Sequence, residues 1–194
     1  MALLRIRQAG AMFPRVPTMP SRAPLAVLAL LFCSAALAES FEVDWPAGWE
    51  VEQMPAPQSP FEPEVSGERQ RAMKLKPNGE QEVVVEITRL PLSPSVEIDL
   101  DKVLRQMRQG IQLGFAQNLL LTACQPPADT EMGDLPAREV RCDISQQGKP
   151  VLQQNLLMAR NDKAVYSLSY AMPVANAAAL EQTLETLRKS LRLH

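Results

Sequence analysis

Histidine is almost missing from this chain, and the one copy, His194, is its last residue. A Ser-His-Asp or Cys-His catalytic set therefore has no base held in place by structure on both sides. Imidazole-based zinc or copper sites fail for the same reason. Cysteine is nearly as scarce: Cys33, Cys124 and Cys142, with no C-x-x-C spacing, which argues against a thiol oxidoreductase and a structural zinc site. Glycine-rich phosphate loops of either usual spacing are absent. Carboxylates remain, with Asp99 and Asp101 near a helix start and Glu62, Glu64 and Glu68 in a loop. Nothing in the sequence brings two of them into one cleft, as a carboxylate hydrolase requires, so they read as solvated acids and not as calcium ligands. Methionines Met54, Met73, Met107, Met132, Met158 and Met172 are too widely spaced for a copper cluster and read as core filling. No enzyme is expected, a carboxylate-only hydrolase being the one exception, and no cofactor or metal.

What is present begins with an apolar run. Ala23 to Ala38 reads APLAVLALLFCSAALA behind Arg22, ending in Ala36-Leu37-Ala38 before Glu39-Ser40. That is the layout of a secretory signal with cleavage between Ala38 and Glu39, and the run is short for a bilayer span. Residues 1–38 are thus expected to be removed and 39–194 to form one domain, starting from either Met1 or Met19. Lipidation at Cys33 is disfavoured because bulky Phe32 stands where that signal wants a small residue. Of the 20 basic residues, four arginines precede residue 39, leaving 16 against 22 acidic ones, a mature charge of about −6. This excludes the basic footprint of a nucleic-acid binder and the basic amphipathic face of a membrane-surface helix. Export removes Cys33 and leaves Cys124 and Cys142 as a pair in an oxidising compartment, where a disulfide is expected.

Along the remaining chain, Phe41, Val43 and Trp45 alternate with polar residues before the turn Pro46-Ala47-Gly48, and Trp45 and Trp49 are expected to close one end of a core. Pro55, Pro57, Pro60 and Pro63 fill residues 54–68, predicting a long, mobile loop with neither helix nor central strand. Arg71 to Lys76 and Gln81 to Leu90 flank Asn78-Gly79, a hairpin signal that expects positive φ at both turn residues. Leu100, Val103, Leu104, Met107, Ile111 and Phe115 keep a 3.6-residue period behind the N-cap candidate Asp99, and Gly110 and Gly114 either weaken that helix or let it pack closely on a sheet. Strands are expected at Asn118 to Gln125, Pro136 to Ser145, Pro150 to Arg160 and Ala164 to Ala171. Ala177, Leu180, Leu184, Leu187 and Leu191 form a second helical stripe capped by Asn176, with Arg188, Lys189 and Arg192 at its C-terminal end. Short turns between the strands demand antiparallel neighbours. The expected fold is α+β, a meandering antiparallel sheet with two main helices packed on it.

The opening F-E-V-D-W-P-A-G-W-E at Phe41 to Glu50 carries a resemblance, together with the closing order Gly133-Asp-Leu-Pro-Ala-Arg138, a Gly148 turn, Lys163-Ala-Val-Tyr-Ser-Leu-Ser-Tyr170, Pro173 and an apolar helix. The arrangement resembles the PsbP-like fold, which includes a Ran-binding family and several bacterial envelope families. It also resembles uncharacterised exported proteins of pseudomonads. The resemblance implies a sandwich fold and an exported compartment but no single job, since the fold serves accessory subunits, adaptors and secretion chaperones. No partner-binding residue matches, and photosystem or nuclear-transport roles do not carry over. The function expected is a non-enzymatic, soluble periplasmic module that binds another protein. The alternative is a carrier or sensor of a small apolar ligand held between sheet and helix, lined by Met107, Phe115, Tyr166, Leu168 and Tyr170. Neither nucleic acid nor stable membrane insertion after cleavage is expected.

Overall fold

A computed structural model describes residues 41–194. The expected signal segment, Cys33 and the Ala38–Glu39 junction lie outside the described residues. Ten strands and two helices follow in the order β1 (Phe41–Glu42), β2 (Glu50–Gln53), β3 (Glu68–Leu75), β4 (Gln81–Pro91), α1 (Leu100–Ala116), β5 (Leu121–Cys124), β6 (Ala128–Met132), β7 (Leu135–Gln146), β8 (Lys149–Arg160), β9 (Ala164–Pro173), α2 (Val174–Ser190) and β10 (Arg192–Leu193). Eight strands form one antiparallel sheet in the order β2-β3-β4-β9-β8-β7-β5, with β6 also paired to β7. The expected α+β arrangement is present, and helices cover both faces of the sheet.

Alternation decides which side chain meets which helix. Val83, Val85 and Ile87 of β4 join Tyr166, Leu168 and Tyr170 of β9 and Leu180, Leu184 and Leu187 of α2 in one buried cluster. The opposite face gathers Val140, Cys142 and Ile144 of β7 with Leu156, Met158 and Val165 under α1, where Leu104 is fully buried. Beyond the reach of α1, β2, β3 and β4 carry charge instead. Arg71 pairs with Glu86 at 3.0 Å and Glu52 at 3.7 Å, cross-strand ion pairs whose members all stay partly exposed.

Several local expectations needed correction. The proline-rich segment is fastened down. Ser59 is buried, its Oγ accepts from the N–H groups of Phe61 and Glu62, and Gly67 N–H donates to Pro57 O at 2.7 Å. Glu62 accepts from Ser93 N–H at 2.9 Å and its hydroxyl at 2.5 Å, which hold the Glu62 carboxyl below its ordinary range. Phe61 packs on the α1 cluster. Prolines prevent helix here, but their fixed φ suits a tight strap.

At the first hairpin only Gly79 has positive φ, because Pro77 makes a four-residue turn closed by Gly79 N–H to Lys76 O at 2.9 Å. The two-residue turn with both φ positive is Gln147-Gly148 between β7 and β8. Strand β6 lies between the strands expected at Asn118 to Gln125 and Pro136 to Ser145, where none was expected. Helix α2 ends at Ser190 and has no side-chain cap; Asn176 instead donates to Glu82 O at 3.2 Å. Leu191 turns extended and Arg192 enters β10, which pairs with β1 across the whole domain, where Arg192 binds Glu42 and Asp44. His194 is therefore not frayed: its carbonyl accepts the Tyr166 hydroxyl.

Asp99 caps α1 as expected, accepting from Lys102 N–H at 3.0 Å. Gly110 and Gly114 do not pack closely on the sheet, since a Cβ at either would meet nothing within 4 Å. Gly110→Ala and Gly114→Ala should therefore each stabilise the protein by about 1 kcal/mol through helix propensity. Denaturant midpoints check this, and unchanged midpoints would show that these turns are not helical in solution.

Candidate functional site

Between α2 and strands β7, β8 and β9 lies a cleft of about 370 Å³. Its floor is polar because β7 presents Glu139 and Arg141 on this face while Val140 and Cys142 turn to α1. Gln153 and Asn155 of β8 and Tyr170 of β9 continue it, and Met172, Ala177, Glu181, Leu184 and Arg188 form the walls. Asn155 sits opposite Arg141 and Tyr170 in the strand register and is 1% exposed. Its Nδ2 donates to Glu139 Oε1 at 2.6 Å, yet its Oδ1 has no partner. Arg188 reaches Glu139 at 3.7 Å and donates to Thr130 Oγ1 at 3.0 Å, while its buried Nε has none.

Burial foremost, with the Glu139 carboxylate adding to it, pushes the Tyr170 phenol from 10.0 up to about 12, with Arg188, Arg141 and Asn155 working against the shift. An unfolded chain releases this proton first, so stability should hold below pH 10 and fall as pH rises from about 10 to about 12. Phenolate absorbance and denaturant midpoints across that range check it. Tyr170→Phe should abolish both the late ionisation and its share of the slope.

On the opposite face, the strap covers a second cleft of about 270 Å³. Pro57, Pro60 and Phe61 form its roof, Val103 and Met107 of α1 one wall, and Leu90, Met158 and Val165 its floor. It is mostly apolar because Leu90, Met158 and Val165 face it from β4, β8 and β9, with Thr88, Ser167 and Gln58 the polar members of its lining.

The residues expected to line one ligand cavity are thus divided. Met107 lines the apolar cleft and Tyr170 the polar one. Phe115 packs on the α1 cluster, and Tyr166 and Leu168 are buried under α2. The sheet separates the two sets. Cys124 and Cys142 are register partners on β5 and β7 and are bonded. The candidate acids are engaged elsewhere: Asp101 with Arg138 at 2.7 Å, Glu62 with Ser93, and Glu68 with Arg89 at 3.6 Å. Among the described residues, no group of three or more His, Cys, Asp or Glu is placed to hold a metal ion.

A third feature is the corner where α1 ends. Leu120 N–H donates to Phe115 O and Leu119 N–H to Ala116 O, both at 3.1 Å. This is the helix-ending arrangement whose left-handed position usually takes glycine. Leu119 occupies it, with φ of 60°. It is 88% exposed, and Leu113, six residues before it, and Leu121, two after it, are 67% and 70% exposed. Sequence reasoning missed both Asn155 and Leu119. Asn155 had a faint signal, an amide following Gln153 and preceding Leu157 and Ala159 on one face of β8, the last two fully buried. Leu119 had another, an aliphatic residue where a helix stop is due.

Residues 40–193 match the family described as a domain of unknown function (DUF4946). A comparison with curated protein sequences finds no match. Among solved structures, the chain is similar to cyanobacterial PsbP (CyanoP) from Synechocystis sp. PCC 6803, with a TM-score of 0.59 at 9% identity over 80% of this chain and 87% of that one. It is also similar to LpqN, involved in cell envelope biogenesis of Mycobacterium tuberculosis, at TM-score 0.47 and 16% identity, covering 79% of this chain and 82% of that one. PA94, a protein of unknown function and putative regulator from Pseudomonas aeruginosa, gives 0.42 at 14% identity over 78% and 87%. The fold is PsbP-like, two helices on a large antiparallel sheet.

Proposed function

The chain belongs to the DUF4946 family, and from that premise we propose that it is a non-enzymatic accessory protein of the periplasm that works by binding another protein. The observation that carries this reading is the exposed leucine corner. Three aliphatic side chains are left largely in water, Leu119 itself at a left-handed backbone position, and none of them joins either buried cluster. Strain and exposed apolar surface persist where function uses them. Strand β5, which carries Leu121, lies at the end of the sheet order, so a partner gains an apolar anchor and backbone groups to pair with. The export signal and the Cys124–Cys142 bond support the compartment. Among the described residues, no helix is long and apolar enough to cross a membrane.

The test places a photo-crosslinking residue at position 119 in the native host. One stoichiometric protein partner is expected, lost on Leu113→Ser plus Leu121→Ser. Leu119→Gly should raise stability by about 1 kcal/mol, by relieving the left-handed strain, while weakening the partner's capture. No crosslinked partner, or capture untouched by these changes, overturns the reading.

A second reading, a carrier of a small apolar molecule, is favoured by the strap-covered cleft beside Met107. Native mass spectrometry of protein from its own host decides it. A bound species displaced by Met107→Trp supports it, and a clean apo mass removes it.

A further inference from the structure

We infer that the apolar cleft beneath the proline strap takes a short, neutral aliphatic molecule with one terminal oxygen, an alcohol or a carbonyl compound, held by the hydroxyls of Thr88 and Ser167. This rests on the carrier reading and names the class of its ligand. The two residues are register partners on β4 and β9, so their Cβ atoms stand about 5 Å apart. Alternation sets their direction: Thr88 shares a face with Leu90, and Ser167 shares one with Val165, and all four line the cleft. Neither hydroxyl has a hydrogen-bond partner among the described residues, and neither is sealed from solvent. Both therefore meet the cleft with open valences, and a hydroxyl donates as well as accepts. An adjacent pair of them among Phe61, Met107 and Met158 suits a guest that is apolar except at one end.

Charge is kept away from this guest. No residue lining the cleft is ionised at neutral pH. The row that carries the two hydroxyls runs on to Arg69 of β3 and, through Met158, to Arg138 of β7. Arg69 is taken up by Glu86 at 3.6 Å and Pro55 O at 3.3 Å, and Arg138 by Asp101 at 2.7 Å and by Asp129. Arg108 follows Met107 but lies on the flank of α1 whose next turn, at Gln112, donates to Thr122 O of β5 at 3.5 Å, away from the cleft. A carboxylate or an ammonium group would lose its hydration here with no opposite charge to replace it. The roof is held close: a Cβ at Gly67 would stand 2.3 Å from Arg89 O and 2.7 Å from Leu90 Cδ2 of β4. At about 270 Å³ the cleft falls just below the usual range of small-ligand sites, which calls for a short chain.

Chemical-shift titration of the purified protein decides it, with 1-hexanol and 2-hexanone as the oxygen-bearing probes, hexane as the hydrocarbon, and hexanoate and hexylammonium as charged comparators. Saturable shifts are expected at Thr88, Ser167 and the Met107 methyl group with at least one oxygen-bearing probe, and the one that binds tells alcohol from carbonyl. Thr88→Val with Ser167→Ala should weaken that probe about tenfold, as the loss of hydrogen bonds to a neutral partner does, without weakening hexane. Ser167→Ala alone, which removes a single oxygen atom, serves if the double variant does not fold. Met107→Trp, which fills the cleft, should weaken every probe that binds. The ligand class is overturned if neither oxygen-bearing probe binds, if a charged comparator binds as tightly, or if the hydroxyl variants weaken hexane as much as the oxygen-bearing probe. Hexane binding that Met107→Trp abolishes, with both oxygen-bearing probes excluded, overturns this class and leaves the carrier reading standing. No binding by any probe, together with a clean apo mass from the native host, removes both.

Discussion

Gly133→Ala is expected to lower stability by about 3 kcal/mol, several times the effect of the same change at Gly48. Both glycines have positive φ, 61° and 81°, so alanine meets the left-handed penalty of about 1 kcal/mol at each. They differ in surroundings. A Cβ at Gly48 would meet nothing within 4 Å, whereas one at Gly133 would stand 2.3 Å from Leu191 O, a backbone atom that no rotamer change can move. Relieving that contact means shifting the β6–β7 turn off the end of α2. The bond from Gly133 N–H to Arg188 O at 2.9 Å would be lost with it. Leu191 and Leu193, both buried in the α2 cluster, would move, and β10 would lose its register with β1. Overpacking of this kind adds about 1–3 kcal/mol. Denaturant midpoints of the two variants make the comparison, and equal losses would show that conformation alone, and not the close approach, holds this glycine.

Removing the Cys124–Cys142 bond, by Cys124→Ala with Cys142→Ala, should cost about 3 kcal/mol, the chain-entropy value for a loop of this size. The cysteines are 18 residues apart, and the loop they close holds the whole of β6. The effect should also be uneven. Strand β5 has only four residues, all paired to β7, with Leu121 and Ala123 exposed. Without the covalent tie its amides should exchange with solvent well before those of β8 and β9. Leu121 would then lose its fixed place, so the double variant should also bind the partner more weakly. Hydrogen exchange resolved by residue checks the order. Uniform protection across β5, β8 and β9 would refute the idea that the bond serves mainly to pin an edge.

Much of the fold was legible in local pattern. The period of Leu100 to Phe115 and the alternation of Val140, Cys142 and Ile144 put the right side chains on buried faces, because a helix or strand repeats over distances shorter than the element itself. The Asn-Gly signal located its hairpin but misjudged the turn, since Pro77 imposed a longer one. The strap was misread because proline content reports which regular structures are excluded, and not what the loop's side chains touch. Ser59 and Glu62 fasten it through partners up to 31 residues away. The candidate ligand set is divided on the same ground: Met107 and Tyr170 each line a cleft, but strand pairing put them on opposite sides of the sheet.

Sequence alone thus determined the class of fold and the cysteine pair, properties of composition or of neighbours in the chain. Only the tertiary structure decided that β4 would pair with β9, that Phe41 would meet Leu193, that Asn155 would be buried with an open valence and that Leu119 would be left in water. Each of these depends on residues brought together from distant parts of the chain, or on the space left once the helices have packed. Packing competes over the whole molecule at once, and no window of neighbouring residues contains its outcome.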